Sequence, residues 1–345
     1  MPGQAELTVK THVRDWARMV SAALIISAVG GWGARGDDRV AFDSPLYPGE
    51  GNRVVPAFKR GETSSNVKIS GRLGYPDAVA GPVPAVIVAH TSAGPGSDVT
   101  TVASAMRKAG FASLTYHSFA PRNFGSSGNA SQSGGGPRLE IHQAADAYMA
   151  LKALAANPRI DAKRVAVVGL SAGANAALLA ASERVRVRYV DGNGPRFAAL
   201  VAIYPGGYFL PTSKDVSTRT PILILPAEKD DLMPWSRTKA WVDYVLRENP
   251  PVSLTYKLVP DATHSFLNDN ARSNPNVPGS GTCPFILANF GESNLAFLLL
   301  DGTLAQSSPQ GCQSRGATMV YSSRAASFAL DETVAFLKKS FAAAE

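Results

Sequence analysis

Cysteine is scarce in this chain: Cys283 and Cys312 are the two among 345 residues. Histidine is nearly as rare, with five scattered copies, and neither a CxxC nor an HxxEH spacing occurs. That combination argues against a structural zinc site, a metalloprotease or a dithiol redox centre, and no metal or cofactor is expected. Long runs of Lys and Arg are also missing, although 34 basic residues against 27 acidic ones leave a formal charge of +7. A basic enzyme acting on a small molecule accounts for that excess better than a nucleic-acid binder does. The tightest basic group is Arg184, Arg186 and Arg188, whose every-second spacing predicts one face of a strand or sheet edge. No apolar run is long enough to span a bilayer comfortably. Internal repeats and a convincing interdomain linker are absent as well.

What is present begins with an N-terminal targeting pattern. Lys10, Arg14 and Arg18 precede the apolar stretch Met19 to Ala34, which ends in small residues. This is the layout of a secretory signal, with cleavage expected between about Gly30 and Ala34. Residues 1–34 are therefore expected to be a signal peptide, and the mature protein to be exported, periplasmic or secreted. The two cysteines fit that destination. A disulfide between Cys283 and Cys312 would stabilise the chain by about 3–4 kcal/mol in the loop-entropy account. An apolar fraction of 45% is ample for a buried core, and residues 35–345 are expected to form one catalytic domain. Nothing in the sequence speaks to oligomeric state.

From Pro84 onward the chain alternates between short apolar runs and helical patterns. Pro84 to Ala89, Phe111 to Tyr116, Arg164 to Gly169, Ala198 to Tyr204 and Pro221 to Leu225 read as strands buried on both faces. Asn66 to Gly74 and Val252 to Val259 alternate and read as further strands. Helices are expected over Asp98 to Ala109 with Asp98 as N-cap, Leu139 to Ala156, Ala172 to Ser182, Pro234 to Glu248 and Arg324 to Phe341. Strands alternating with helices predict an α/β fold, a mostly parallel sheet with helices on both faces. Residues 270–316 break the rhythm as a long insertion. Its apolar run, Leu295 to Leu300, suits a lid over the site or a piece of core equally well.

The segment VAVVGLSAGANAALLAA, Val165 to Ala181, contains a G-x-S-x-G pattern centred on Ser171. In a chain rich in Gly and Ser the pattern alone says little; its context says more. Ser171 lies between a buried strand and an Ala-rich helix. A reversal that sharp lifts the hydroxyl above the carboxyl edge of the sheet, where open α/β sheets bind ligands. A serine needs a base, and the base an orienting carboxylate, each in a loop after a later strand. PAEKDDLMP supplies Asp230 and Asp231 after one strand, and PDATHSF supplies His264 after the next. The N–H of Ala172, opening the helix, is the first expected oxyanion donor. The second is expected from the loop AHTSAGPGSD: Ser92 first, then Thr91, with His90 as a brace. These residues predict attack of Ser171 on an ester carbonyl, lactones included, with His264 as base. An amidase or peptidase would use the same triad, and a non-catalytic binding protein of this fold is the rival from another class.

PAVIVAHTSAG, HSFAPR, RIDAKRVAVVGLSAGA, AIYPG, AEKDDLMP and DATHSF together resemble the dienelactone hydrolase branch of the α/β-hydrolases. The likeness runs from about Val67 to Phe341, apart from the insertion. It implies an α/β-hydrolase fold and a serine or cysteine nucleophile served by His and Asp. The motifs place these on Ser171, His264 and Asp230, because the family's acid stands four residues before a proline, here Pro234. The sequence departs from the family at several points. The namesake enzymes carry cysteine where this chain has Ser171. Their D-S-F-x-x-R-G segment is here His117 to Asn123, and the insertion with both cysteines is extra. The departures point away from dienelactone itself and leave ester hydrolysis in place. Arg122, within that segment, is a candidate partner for a substrate carboxylate.

Overall fold

The computed structural model describes residues 37–47, 62–63, 65–77, 81–124, 138–279, 285–289, 295–299, 304–305 and 314–344. The expected signal segment, Cys283 and Cys312 lie outside the described residues.

The central feature is an eight-stranded sheet in the order β1-β2-β4-β3-β5-β6-β8-β9. Its strands are β1 (Asp38–Leu46), β2 (Ser65–Gly74), β3 (Val83–Ala89), β4 (Ala112–Tyr116), β5 (Ile160–Leu170), β6 (Ala199–Ile203), β8 (Ile222–Leu225) and β9 (Leu254–Tyr256). The pairs from β4 through β9 are parallel. The first two strands run antiparallel at one edge. The sheet is buried on both sides, which is why its parallel strands read as unbroken apolar runs. In β3, Ala85, Ile87 and Ala89 enter one core, while Val86 and Val88 enter the other. The period-two alternation thus feeds two separate helix layers.

One layer holds α2 (Arg138–Ala155), α3 (Ala172–Ala180) and α5 (Trp235–Glu248); the other holds α1 (Ser97–Lys108) and α6 (Ser323–Ala342). All nine residues of α3 are buried, so its Ala-rich composition is a packing requirement. Small side chains let it sit between the sheet and α2.

One strand went unread and three expectations need correction. Asp38–Leu46 is a strand; its mixed burial, with polar side chains outward, hid it as an edge. Arg184, Arg186 and Arg188 lie on α4 (Glu183–Tyr189), a short helix rather than a strand, because Ser182 accepts a hydrogen bond from Val185 N and caps it. Arg184 pairs with Asp215 and Arg186 with Glu183, which Arg196 also engages. The cap of α1 is Gly96, while Asp98 is buried within the first turn, accepting from Val99 N. The strand expected over Val252 to Val259 pairs over Leu254–Tyr256, with an isolated bridge at Val259.

Part of the insertion is sheet. Strands β11 (Phe285–Asn289), β12 (Leu295–Leu299) and β13 (Leu304–Ala305) join β7 (Tyr208–Pro211) in a second sheet. Leu298 is buried in the core beside α3 and α5, so this position of the apolar run is core. Strands β10 (Asn274–Gly279) and β14 (Ser314–Ala317) pair with each other. Among the described residues, no helix is long and apolar enough to cross a membrane.

Candidate active site

Ser171 sits on the turn between β5 and α3 with φ 53° and ψ −110°, a conformation that L-residues avoid. Two glycines make that turn possible. A Cβ on Gly169 would lie 2.0 Å from Gly173 O, and one on Gly173 would lie 2.3 Å from Ala89 O. The first glycine lets strand and helix cross; the second lets the helix press on the end of β3. The Ser171 amide donates to Ile203 O at 3.1 Å, fixing the turn to the neighbouring strand.

The Ser171 hydroxyl is 3.0 Å from His264 Nε2, and His264 Nδ1 is 2.7 Å from Asp230 Oδ2. Ser171 is 8% exposed, Asp230 6% and His264 2%. The carboxylate enforces the tautomer: Nδ1–H donates to Asp230, leaving Nε2 to accept from the serine hydroxyl. Asp230 Oδ1 accepts from the amides of Leu232 and Met233, at 3.1 and 2.7 Å, which aims its other oxygen at the imidazole. The loops carrying acid and base are laced together. Glu228 N donates to Val259 O at 3.1 Å and Lys229 N to Ala262 O at 2.7 Å. Asp231, the other member of the acidic pair, turns away and accepts from Thr318 instead.

Ala172 N–H opens α3. The first bond of that helix runs from Asn175 N to Ser171 O at 3.0 Å, leaving the Ala172 amide without an intrahelical acceptor. Ser92 stands, half-buried, at the second position of a tight turn. That turn is closed by Gly94 N on Thr91 O (3.1 Å) and Ala93 N on Thr91 Oγ1 (3.2 Å), so it does not consume the Ser92 amide. The close approach of Gly173 to Ala89 and His90 brings the start of α3 against this loop. His90 is buried; its Nε2 accepts from Ser118 N at 3.0 Å, and its Nδ1–H donates to Thr91 O at 2.7 Å. Burial pushes its pKa down to about 4, so the ring stays neutral and joins the end of β3 to the end of β4.

Two supports went unnoticed at the sequence level. Tyr204, at φ 43°, packs its ring edge-on to His264 with centroids 5.2 Å apart. Asn175, one turn after the serine, accepts from Gly206 N and Gly207 N at 2.8 and 3.1 Å. The only sequence signal for either was position: just after β6, and four residues past the elbow.

Arg122 does not reach the site's solvent face, contrary to expectation. Its side chain and that of Asp146 are both wholly buried. The guanidinium binds Asp146 through Nη1 (2.9 Å) and Nη2 (2.7 Å), Ser118 O at 2.6 Å and Pro45 O at 2.9 Å. It braces β1, α2 and the segment after β4; both terminal nitrogens are spent there, while the buried Nε has no hydrogen-bond partner among the described residues.

A model of the dienelactone hydrolase family matches residues 69–282, more than half of the sequence. The chain belongs to the dienelactone hydrolase family. Family membership makes it a hydrolase, and solved structures agree on the fold. A dienelactone hydrolase-like promiscuous phosphotriesterase from metagenomic libraries is similar at 17% identity and TM-score 0.51, over 87% of this chain and 98% of that one. A dienelactone hydrolase-type protein from Klebsiella pneumoniae is similar at 14% identity and TM-score 0.51, over 87% and 99%. Both support the α/β-hydrolase fold. No curated protein matches the sequence.

Proposed function

We propose that this family member is a serine hydrolase of carboxylic esters, working through an acyl-enzyme on Ser171. Two hydrogen bonds in series carry the reading: 3.0 Å from Ser171 Oγ to His264 Nε2, and 2.7 Å from His264 Nδ1 to Asp230 Oδ2. His264 removes the hydroxyl proton as Ser171 attacks the carbonyl carbon. Asp230 orients the ring and stabilises the imidazolium. The amides of Ala172 and Ser92 receive the developing oxyanion. The imidazolium returns its proton to the departing alkoxide. Water, deprotonated by the same imidazole, then releases the acid and frees the serine. The basic-then-apolar N-terminal segment supports export of the enzyme.

The test is turnover of p-nitrophenyl esters of graded acyl length, with and without a carboxylate on the acyl chain, beside the matching anilides. Ser171→Ala is expected to lose about 10⁴-fold or more in kcat. A fluorophosphonate is expected to label the wild type at Ser171. Retention of esterase turnover by Ser171→Ala in a clean preparation ends the proposal; faster cleavage of anilides than esters reassigns the enzyme to amides. Failure of the fluorophosphonate to label folded protein favours a binding role instead.

A further inference from the structure

The chain leaving the insertion runs across both loops that carry the acid and the base. Immediately after β14, Thr318 donates its amide to Asp231 Oδ1 at 2.8 Å and its hydroxyl to Asp231 Oδ2 at 2.6 Å. Met319 forms a parallel backbone bridge with His264, and its amide donates to Ser273 Oγ at 3.1 Å. Val320 N donates to Thr263 Oγ1 at 3.0 Å. Ser322 N donates to Phe266 O at 3.1 Å, and Ser322 Oγ then caps α6. The strap 318–322 therefore grips the base loop on both sides of His264 and is anchored at its far end by a helix cap.

We infer that Asp231 and Thr318 are positioning residues that set His264 for proton transfer, an inference that rests on the triad reading above. The links form a closed circuit. Asp230 bonds the His264 ring, the His264 backbone pairs with Met319, Thr318 immediately precedes Met319 in the chain, and Thr318 binds Asp231, next to Asp230. The circuit's one catalytic link, Asp230 to His264, has its length set by the others. The base loop needs such support, because Asp261 and Ser265 both hold positive φ, at 55° and 59°. Residues in that region persist when their surroundings over-determine them. The strap lies beyond residue 282, where the family match ends. Asp231 and Thr318 are both exposed, so neither is needed to fill the core.

Thr318→Val removes the hydroxyl, keeps the shape and leaves every charge in place. Its kcat for a p-nitrophenyl ester is expected to fall about tenfold, the scale of one lost charge-assisted hydrogen bond, with KM within about twofold. Fluorophosphonate labelling of Ser171 slows in step. Thr318→Ser restores wild-type kcat, and Asp231→Ala, losing both bonds, falls at least as far as Thr318→Val. Rates are referred to active sites titrated, and melting temperature is recorded for each variant. The inference is overturned if the wild type labels at Ser171 while Thr318→Val and Asp231→Ala both keep kcat within about twofold; the triad reading then stands. It is also overturned if the loss lies in KM, or wholly in the fraction of folded sites. A wild type that does not label at Ser171 removes both readings together.

Discussion

Arg122 and Asp146 form a two-point ion pair in which neither side chain is exposed to solvent. Ser44 completes the cluster by bonding both partners, which ties β1 to α2. An ion pair this deep contributes through what its loss would leave behind: one buried charge without a counter-charge. Arg122→Ala is expected to destabilise the fold by about 3–5 kcal/mol in urea denaturation. Replacing both partners, Arg122→Met with Asp146→Leu, is expected to recover much of that loss. In the double variant, the KM ratio between carboxylate-bearing and neutral esters stays at the wild-type value. A ratio that rises about tenfold on removing the arginine would restore it as a substrate ligand.

How far the molecule was legible depended on how local its determinants are. Buried parallel strands announce themselves as unbroken apolar runs, so the α/β architecture and the elbow at Ser171 could be read directly. Three polar residues, each trailing a strand, then fell together at one sheet edge. Between Asp230 and Asp231 the residues themselves gave no preference. Only the resemblance favoured Asp230, since the partner that draws Asp231 away, Thr318, lies 87 positions further on. Arg122 was misread for the same reason: its partner, Asp146, is 24 residues distant, and nothing local marks it. The edge strand Asp38–Leu46 was obscured by polar residues on its exposed side, and the second sheet by the brevity of its strands.

The backbone of Ser171 holds a second prediction. At φ 53° and ψ −110° its Cβ is strained by about 1–3 kcal/mol, and glycine alone relieves that. Ser171→Ala and Ser171→Gly both lack the nucleophile, so both are expected to be inactive. They differ in the Cβ. Glycine gives back about 0.5–1 kcal/mol through the entropy of the unfolded chain. On balance Ser171→Gly is expected to be the more stable of the two by about 1 kcal/mol, the reverse of the usual order of alanine and glycine in a buried strand or helix. Parallel denaturant titrations decide it. Finding the alanine variant more stable would show that the turn stores no strain.

Two buried titratable groups act in opposite senses on stability between pH 4.5 and 6.5. Burial holds His90 near pKa 4, whereas its unfolded value is 6.5. The unfolded chain therefore binds the extra proton in that window, and His90's contribution, complete above pH 6.5, is lost as pH falls toward 4. Glu140, in the first turn of α2 and 3.4 Å from Asn175 Nδ2, is pushed by burial from 4.5 up to about 7. Here the native chain holds the proton, so its contribution, complete below pH 4.5, is lost as pH rises through 7. The opposing slopes mask each other in the wild type. Glu140→Gln removes one of them. Its stability relative to wild type is expected to climb by on the order of 3 kcal/mol between pH 4.5 and 7.5. His90→Gln is expected to move the other way, gaining on the wild type as pH drops from 6.5 to 4. Denaturation midpoints taken at unit pH steps give both differences, and groups common to variant and wild type cancel. A Glu140→Gln difference that is flat across the range would mean that Glu140 is ionised within the folded protein at pH 6, with its charge met by a partner strong enough to offset burial.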